Sequence, residues 1–106
     1  MKLDSFHTYV VEDLFGEIPG ITSRAMFGGY GIYKDGIFFA LIADGELFFK
    51  VNEETKKKYE ALGSRPFTYT MRGKKMTMNY WLLPEEIMSD PEQLIEWVEQ
   101  SVALAH

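Results

Sequence analysis

Gly29-Tyr30-Gly31-Ile32-Tyr33-Lys34-Asp35-Gly36-Ile37-Phe38-Phe39-Ala40-Leu41-Ile42-Ala43-Asp44-Gly45-Glu46-Leu47-Phe48-Phe49-Lys50-Val51 is the stretch that decides the fold. Two Asp-Gly pairs, Asp35-Gly36 and Asp44-Gly45, each stand between apolar runs. A type I′ hairpin turn needs positive φ at both central residues, and Asp-Gly supplies it. The stretch therefore predicts a three-stranded antiparallel meander. Counting outward from the turns sets Lys34 opposite Ile37, Tyr33 opposite Phe38, Gly31 opposite Ala40, Ile42 opposite Leu47 and Ala40 opposite Phe49. Residues directly opposite share a face. One face then collects Gly29, Gly31, Tyr33, Phe38, Ala40, Ile42, Leu47, Phe49 and Val51, the expected core face. The other collects Tyr30, Ile32, Lys34, Ile37, Phe39, Leu41, Glu46, Phe48 and Lys50. A solvated face should be largely polar, yet Tyr30, Ile32, Ile37, Phe39, Leu41 and Phe48 are large and apolar. They are the candidate interface, within a homodimer or with another protein. The alternative is that the C-terminal helix carrying Trp97 folds over them.

Working outward, Asp4 or Ser5 can cap a first helix whose Phe6, Val10 and Leu14 recur every four residues, with Leu3 and Tyr9 beside them. Gly16 and Pro19-Gly20 end it. Asn52 can cap a second helix through Leu62, stopped by Gly63, with Glu53–Lys57 and Glu54–Lys58 at i,i+4 spacing. Phe67, Tyr69 and Met71 alternate with Thr68 and Thr70, and Met76, Met78 and Tyr80 alternate with Thr77 and Asn79. A two-residue loop between them pairs Met71 with Met76 and Tyr69 with Met78, a half-buried hairpin with its large groups on one face. Pro84 suits the first turn of a short helix through Met88. Asp90-Pro91 opens the last helix, with Leu94, Trp97, Val98 and Val102 on one side and Glu92, Glu96 and Glu99 on the other. The order is α, three strands, α, two strands, α. That is an α+β fold on a five-stranded antiparallel sheet, and 106 residues suit one domain over 1–106.

Chemistry is hard to find. The sequence has no Cys and two His, His7 and His106, with no carboxylate spacing around either. No zinc, EF-hand or nucleophile-elbow pattern occurs, so no catalytic, metal or cofactor residue is assigned and no enzyme is expected. His7 reads as an exposed helix residue. Phe27-Gly28-Gly29-Tyr30-Gly31 is glycine-rich, but a phosphate-cradling loop must open a helix and this one opens a hairpin. Its glycines fit close approach of backbone or helix to the sheet. Met71, Met76 and Met78 fit core filling or an adaptable binding surface. No signal-peptide h-region or membrane-length apolar run is present, which points to a cytoplasmic protein without membrane contact.

Net charge is −5, yet residues 50–75 carry eight basic side chains against three acids, and 76–106 carry six acids and no Lys or Arg. Lys56, Lys57, Lys58, Arg65, Arg72, Lys74 and Lys75 form the candidate basic patch. It supports a second reading as a nucleic-acid-binding module, although the negative total argues against tight duplex binding by the chain alone.

Arg24-Ala25-Met26-Phe27-Gly28-Gly29-Tyr30-Gly31-Ile32-Tyr33, with Asp35-Gly36, Phe39-Ala40-Leu41, Asp44-Gly45, Phe49-Lys50-Val51, Pro66-Phe67-Thr68-Tyr69, Tyr80-Trp81, Pro84-Glu85-Glu86 and Asp90-Pro91, resembles the N-terminal domain of the TfoX/Sxy competence regulators. Arg24, Phe27, Gly28, Gly29, Tyr30 and Gly31 match as the family signature. The resemblance implies a two-layer, secretion-chaperone-like α+β domain without enzymatic activity or cofactor. It implies a role in bacterial competence regulation through contact with a protein partner, a transcription factor among the candidates. Full-length regulators of the family continue into a second domain.

Overall fold

Asp35 and Gly36 have φ of 51° and 82°, and Asp44 and Gly45 have φ of 52° and 71°, so both turns take the left-handed geometry that Asp-Gly favours. A computed structural model describes residues 5–26 and 28–106 of the chain. It contains α1 (Ser5–Thr8), which runs on as a π-helical stretch (Tyr9–Leu14), then β1 (Ile21–Met26), β2 (Gly29–Lys34), β3 (Ile37–Ala43), β4 (Glu46–Lys50), α2 (Lys56–Ala61), β5 (Pro66–Met71), β6 (Lys74–Leu82), α3 (Glu85–Met88) and α4 (Pro91–Ala105). The expected contributions of Leu3 and Asp4 to the first helix lie outside the described residues.

The fold is α+β on an open antiparallel sheet, but the sheet has six strands rather than five, ordered β1-β2-β3-β4-β6-β5. The extra strand is β1, paired with β2 from Ile21↔Lys34 to Met26↔Gly29. Its sequence, Ile-Thr-Ser-Arg-Ala-Met, shows no clean apolar alternation because it is an edge strand with Thr22 and Arg24 in solvent.

The meander forms as expected, but one register count fails. Tyr33 faces Phe38, after which the pairing shifts so that Ile32 faces Ala40, Gly31 faces Leu41 and Tyr30 faces Ile42. Phe39 is the extra residue of a β-bulge, so it and Ala40 both pack in the helix-side core. The expected Gly31–Ala40 pair is therefore wrong, and β2 is turned over relative to the count. On β3 and β4 the expected pairs Ala40↔Phe49 and Ile42↔Leu47 form.

Every core helix residue lies in one cluster with Ile32, Phe39, Ala40, Ile42, Leu47, Phe49 and Val51. The helices thus cover a single face. Phe15 packs on Phe39 and Phe49 at ring distances of 6.0 and 6.2 Å, and Tyr59 of α2 meets Trp97 of α4 at 4.6 Å. The buried Ser101 hydroxyl donates to the Lys50 carbonyl at 2.9 Å, tying α4 to β4.

The capping expectations hold in part. Asn52 Oδ1 accepts from the backbone N–H groups of Glu54 and Thr55, at 3.0 and 2.8 Å, but this closes the turn that leads into α2, whose own N-cap residue is Thr55 and makes no side-chain cap bond. At the other end of α2, Gly63 N–H bonds to the Glu60 carbonyl and Ser64 N–H to that of Tyr59. With Gly63 at φ 78° this is a Schellman stop. Asp90 caps α4 through the N–H of Gln93, and its bonds to Gln93 hold the carboxyl below the usual carboxylate range. Of the two helix ion pairs expected, Glu53 instead meets Lys56 at 3.1 Å, one residue earlier than Lys57.

The β5–β6 turn is Arg72-Gly73, with φ of 54° and 79°. That is one residue earlier than the loop that would pair Met71 with Met76. Met71 faces Lys74 and Tyr69 faces Met76. The large groups still share a face, but the end of the hairpin projects into solvent instead of being half-buried.

Candidate functional site

Among the described residues, no helix packs on the sheet's second face. Its apolar cluster is Leu41, Phe48 and Tyr80, flanked by Phe38, Ala43, Phe67, Met78 and Leu82, every one of them from a strand. Rings line up across it. Tyr33 lies 5.3 Å from Phe38, which lies 5.6 Å from Tyr80, and nearer the far edge Phe48 lies 5.1 Å from Phe67, which lies 6.2 Å from Tyr69. Burial pushes the Tyr80 hydroxyl above its ordinary titration range, with the neighbouring Tyr33 adding to the effect.

Leu41, Phe48 and Tyr80 are covered by their strand neighbours, but the row opens toward the β5–β6 hairpin. Tyr69, Met71 and Met76 are 36%, 53% and 40% exposed. The register puts all three on this face, continuous with Phe67 and Met78. Exposed apolar groups gathered this way mark an interaction surface more often than scattered ones do.

Cations border the rings. The Arg24 guanidinium lies 5.8 Å from the Tyr33 ring centre, Lys50 Nζ 5.1 Å from Tyr80 and the Arg65 guanidinium 6.0 Å from Phe48. Arg65 also pairs with Glu46. Lys74, opposite Met71, shares the face as well. The open face is therefore basic and aromatic, whereas Glu92, Glu96 and Glu99 of α4 lie exposed in the helix layer.

The candidate interface read from the sequence does not survive as one surface. Ile32 and Phe39 are fully buried in the helix-side core and Tyr30 packs against that core, because the bulge turned their strand over. Leu41 and Phe48 are on the open face. Ile37 is half-buried beside the β2–β3 turn. Helices of the same chain, α4 among them, cover the first group. The exposed part of the open face is Tyr69, Met71 and Met76, residues whose alternation was visible but whose protrusion depends on the sheet order.

The candidate basic patch is also divided. Lys56 is held by Glu53. Lys58 bonds to Gln100 and lies 4.2 Å from the Trp97 ring centre, and burial lowers its pKa while Glu96 works against that shift. Arg65 is held by Glu46. Lys57, Arg72, Lys74 and Lys75 have no ion pair among the described residues, and the last three form the β5–β6 turn and its flank.

Among the signature residues, the three glycines answer to backbone geometry and close approach. Gly28 has φ 78° in the β1–β2 connection. A Cβ on Gly29 would strike the Ile42 carbonyl oxygen, and one on Gly31 would stand 3.1 Å from the Phe38 ring and also meet Met26. Tyr30 stacks on His7 at 3.6 Å, and His7 Nε2 lies 2.9 Å from Ser23 Oγ. His7 is thus half-buried against the sheet rather than exposed. Phe27 lies outside the described residues. Among the described residues no three His, Asp or Glu side chains gather as a metal site, and no helix is long and apolar enough to cross a membrane.

The family model described as the TfoX N-terminal domain matches residues 13–105. The chain is 29% identical over 79 residues to the DNA transformation protein TfoX1 of Aliivibrio fischeri, covering 74% of this chain and 38% of that protein. It is 25% identical over 97 residues to Protein Sxy of Escherichia coli, covering 92% of this chain and 46% of that protein. The chain therefore spans less than half the length of either relative.

Proposed function

This chain belongs to the TfoX N-terminal domain family, and on that premise we propose that it is a regulatory domain of the competence type that docks another protein on the open face of its sheet. One observation carries the reading: Tyr69, Met71 and Met76 stand exposed on one side of a protruding hairpin, continuous with an aromatic row. Aromatic and Met side chains are enriched at protein interfaces, and Met adapts its shape to a partner. The name of the first relative, a DNA transformation protein, supports placing this docking in control of DNA uptake. No catalytic step is assigned to the domain.

The test replaces Tyr69, Met71 and Met76 together by Ser in the native host. The reading expects an unchanged unfolding midpoint, loss of transformation, and loss of the cross-link that a photoreactive side chain at position 74, opposite Met71, makes to a specific protein. Normal transformation with the cross-link retained would reject it. Direct nucleic-acid binding, the second reading, is supported only by Lys57, Arg72, Lys74 and Lys75 as unpaired cations of the patch, too few to make a strong phosphate groove.

A further inference from the structure

We propose that the free edge of β5 takes up an extended, acidic segment of a partner protein as a seventh strand; this rests on the protein-docking reading above. β5 pairs with β6 on one side, and among the described residues no strand pairs with its other side. Edge strands in monomeric proteins are normally blunted by internal charges, bulges or a covering element. β1, the opposite edge, follows that rule: Arg24 sits in its middle, the π-helical stretch packs on it, and His7 reaches Ser23. β5 does not. Its sequence, Pro66-Phe67-Thr68-Tyr69-Thr70-Met71, contains no charge, and Thr68 through Met71 are exposed. Its irregularity is confined to the Pro66 end, so Thr68 to Met71 remain in register with β6. Such a strand presents alternate N–H and C=O groups to an incoming backbone, with Phe67, Tyr69 and Met71 on one side to contact every second side chain.

Charge selects the occupant. Arg72, Lys74 and Lys75 follow the strand with no ion pair among the described residues, and Arg65 precedes it. A second copy is a poor fit. Antiparallel self-pairing that keeps the apolar groups co-facial, centred on Tyr69, would set Pro66 opposite the partner copy's Arg72, bringing Arg65 beside that second guanidinium. Like charges this close oppose pairing. An acidic strand turns the same cations into an attraction.

The probe is a synthetic peptide alternating isoleucine and glutamate, titrated into the whole chain at low salt. Two control peptides replace the glutamates by lysine, or a central residue by proline, which removes a backbone donor. The acidic peptide is expected to slow amide exchange along β5. The proline version should bind at least about tenfold more weakly, and so should the acidic peptide when Lys74→Glu and Lys75→Glu are introduced. Equal binding of the proline peptide would overturn strand addition, equal binding of the lysine peptide would overturn the acidic occupant, and no binding of the acidic peptide would overturn both. Self-association in sedimentation that is abolished by Thr70→Arg would overturn the choice of occupant. Displacement of the peptide by an oligothymidylate of tighter affinity would do the same. Each of these failures leaves the cross-linking test of face docking standing, because that test does not depend on the β5 edge.

Discussion

Ile32 on β2 pairs with Ala40 on β3, not with Phe39, and the unpaired Phe39 is sent into the core under the helices. Phe39 is fully buried and packs 5.5 Å from Phe49 and 6.0 Å from Phe15. Phe39→Ala is therefore expected to cost about 3–5 kcal/mol, a large part of the 5–15 kcal/mol typical of a domain. Phe39→Lys should unfold the chain. Urea denaturation followed by circular dichroism measures both, and a folded Lys variant would mean that Phe39 belongs to a surface.

Tyr69→Ser and Met71→Ser are expected to behave oppositely. Both residues are exposed on the hairpin, and surface replacements of this kind stay within roughly 0.5 kcal/mol. The same denaturation series gives the comparison, and a loss like that of Phe39→Ala would show the hairpin to be packed in solution.

Two glycines on β2, separated by Tyr30 alone, should respond unequally to Ala. At Gly29 the new Cβ meets the backbone carbonyl of Ile42, which cannot step aside without breaking the sheet. At Gly31 it meets Met26 and Phe38 side chains, and the thioether end of Met26 is free to swing. Gly29→Ala is expected to cost about 1–3 kcal/mol or more and Gly31→Ala less than about 1 kcal/mol. Equal costs in thermal or chemical unfolding would contradict the close approach at Gly29.

Alkaline stability is set by a buried phenol. Burial raises the pKa of Tyr59 well above its ordinary 10.0, with a hydrogen bond to Ser101 pulling modestly the other way. Burial raises Tyr80 as well. An unfolded chain ionises both near pH 10 while the folded one keeps its protons, so stability is fully present below about pH 10 and falls above it. Lys58, lowered from 10.5 mainly by burial, has the opposite sign: below 10.5 the folded state holds fewer protons, which makes stability rise with pH there. Tyr59 has the largest shift of the three and governs the net fall. Tyr59→Phe should lose about 1 kcal/mol at neutral pH with its hydrogen bond, and should lose less than the parent on going from about pH 8 to about pH 11. Urea midpoints at the two pH values decide it.

Much of the fold was legible because its signals are local. Asp35-Gly36 and Asp44-Gly45 dictate their turns, Asn52 closes the turn leading into α2 and Gly63 stops it, and Asp90-Pro91 opens α4. What failed was non-local. A bulge leaves no mark in a run such as Phe38-Phe39-Ala40-Leu41, where every residue is apolar and either face can accept it. β1 was missed because an edge strand need not alternate. The candidate site suffered most from the bulge, since a one-residue slip moved Tyr30, Ile32 and Phe39 from the open face to the core. The basic patch failed differently: sequence proximity of Lys56, Lys58 and Arg65 says nothing of Glu53, Trp97 and Glu46, which hold them.

The strand order also implies a history in time. Along β1-β2-β3-β4-β6-β5, every neighbouring pair is consecutive in the chain except β4–β6. Contacts between sequence neighbours close short loops and form early, whereas a seam across a longer loop waits. The meander and the β5–β6 hairpin are thus expected to assemble as separate pieces, with the seam Phe48↔Leu82, Phe49↔Trp81 and Lys50↔Tyr80 joining them last. A chain emerging from the ribosome could finish four strands before the joining edge exists. Until then, β4 is an exposed apolar edge, and the seam is where a slow or crowded synthesis would go wrong.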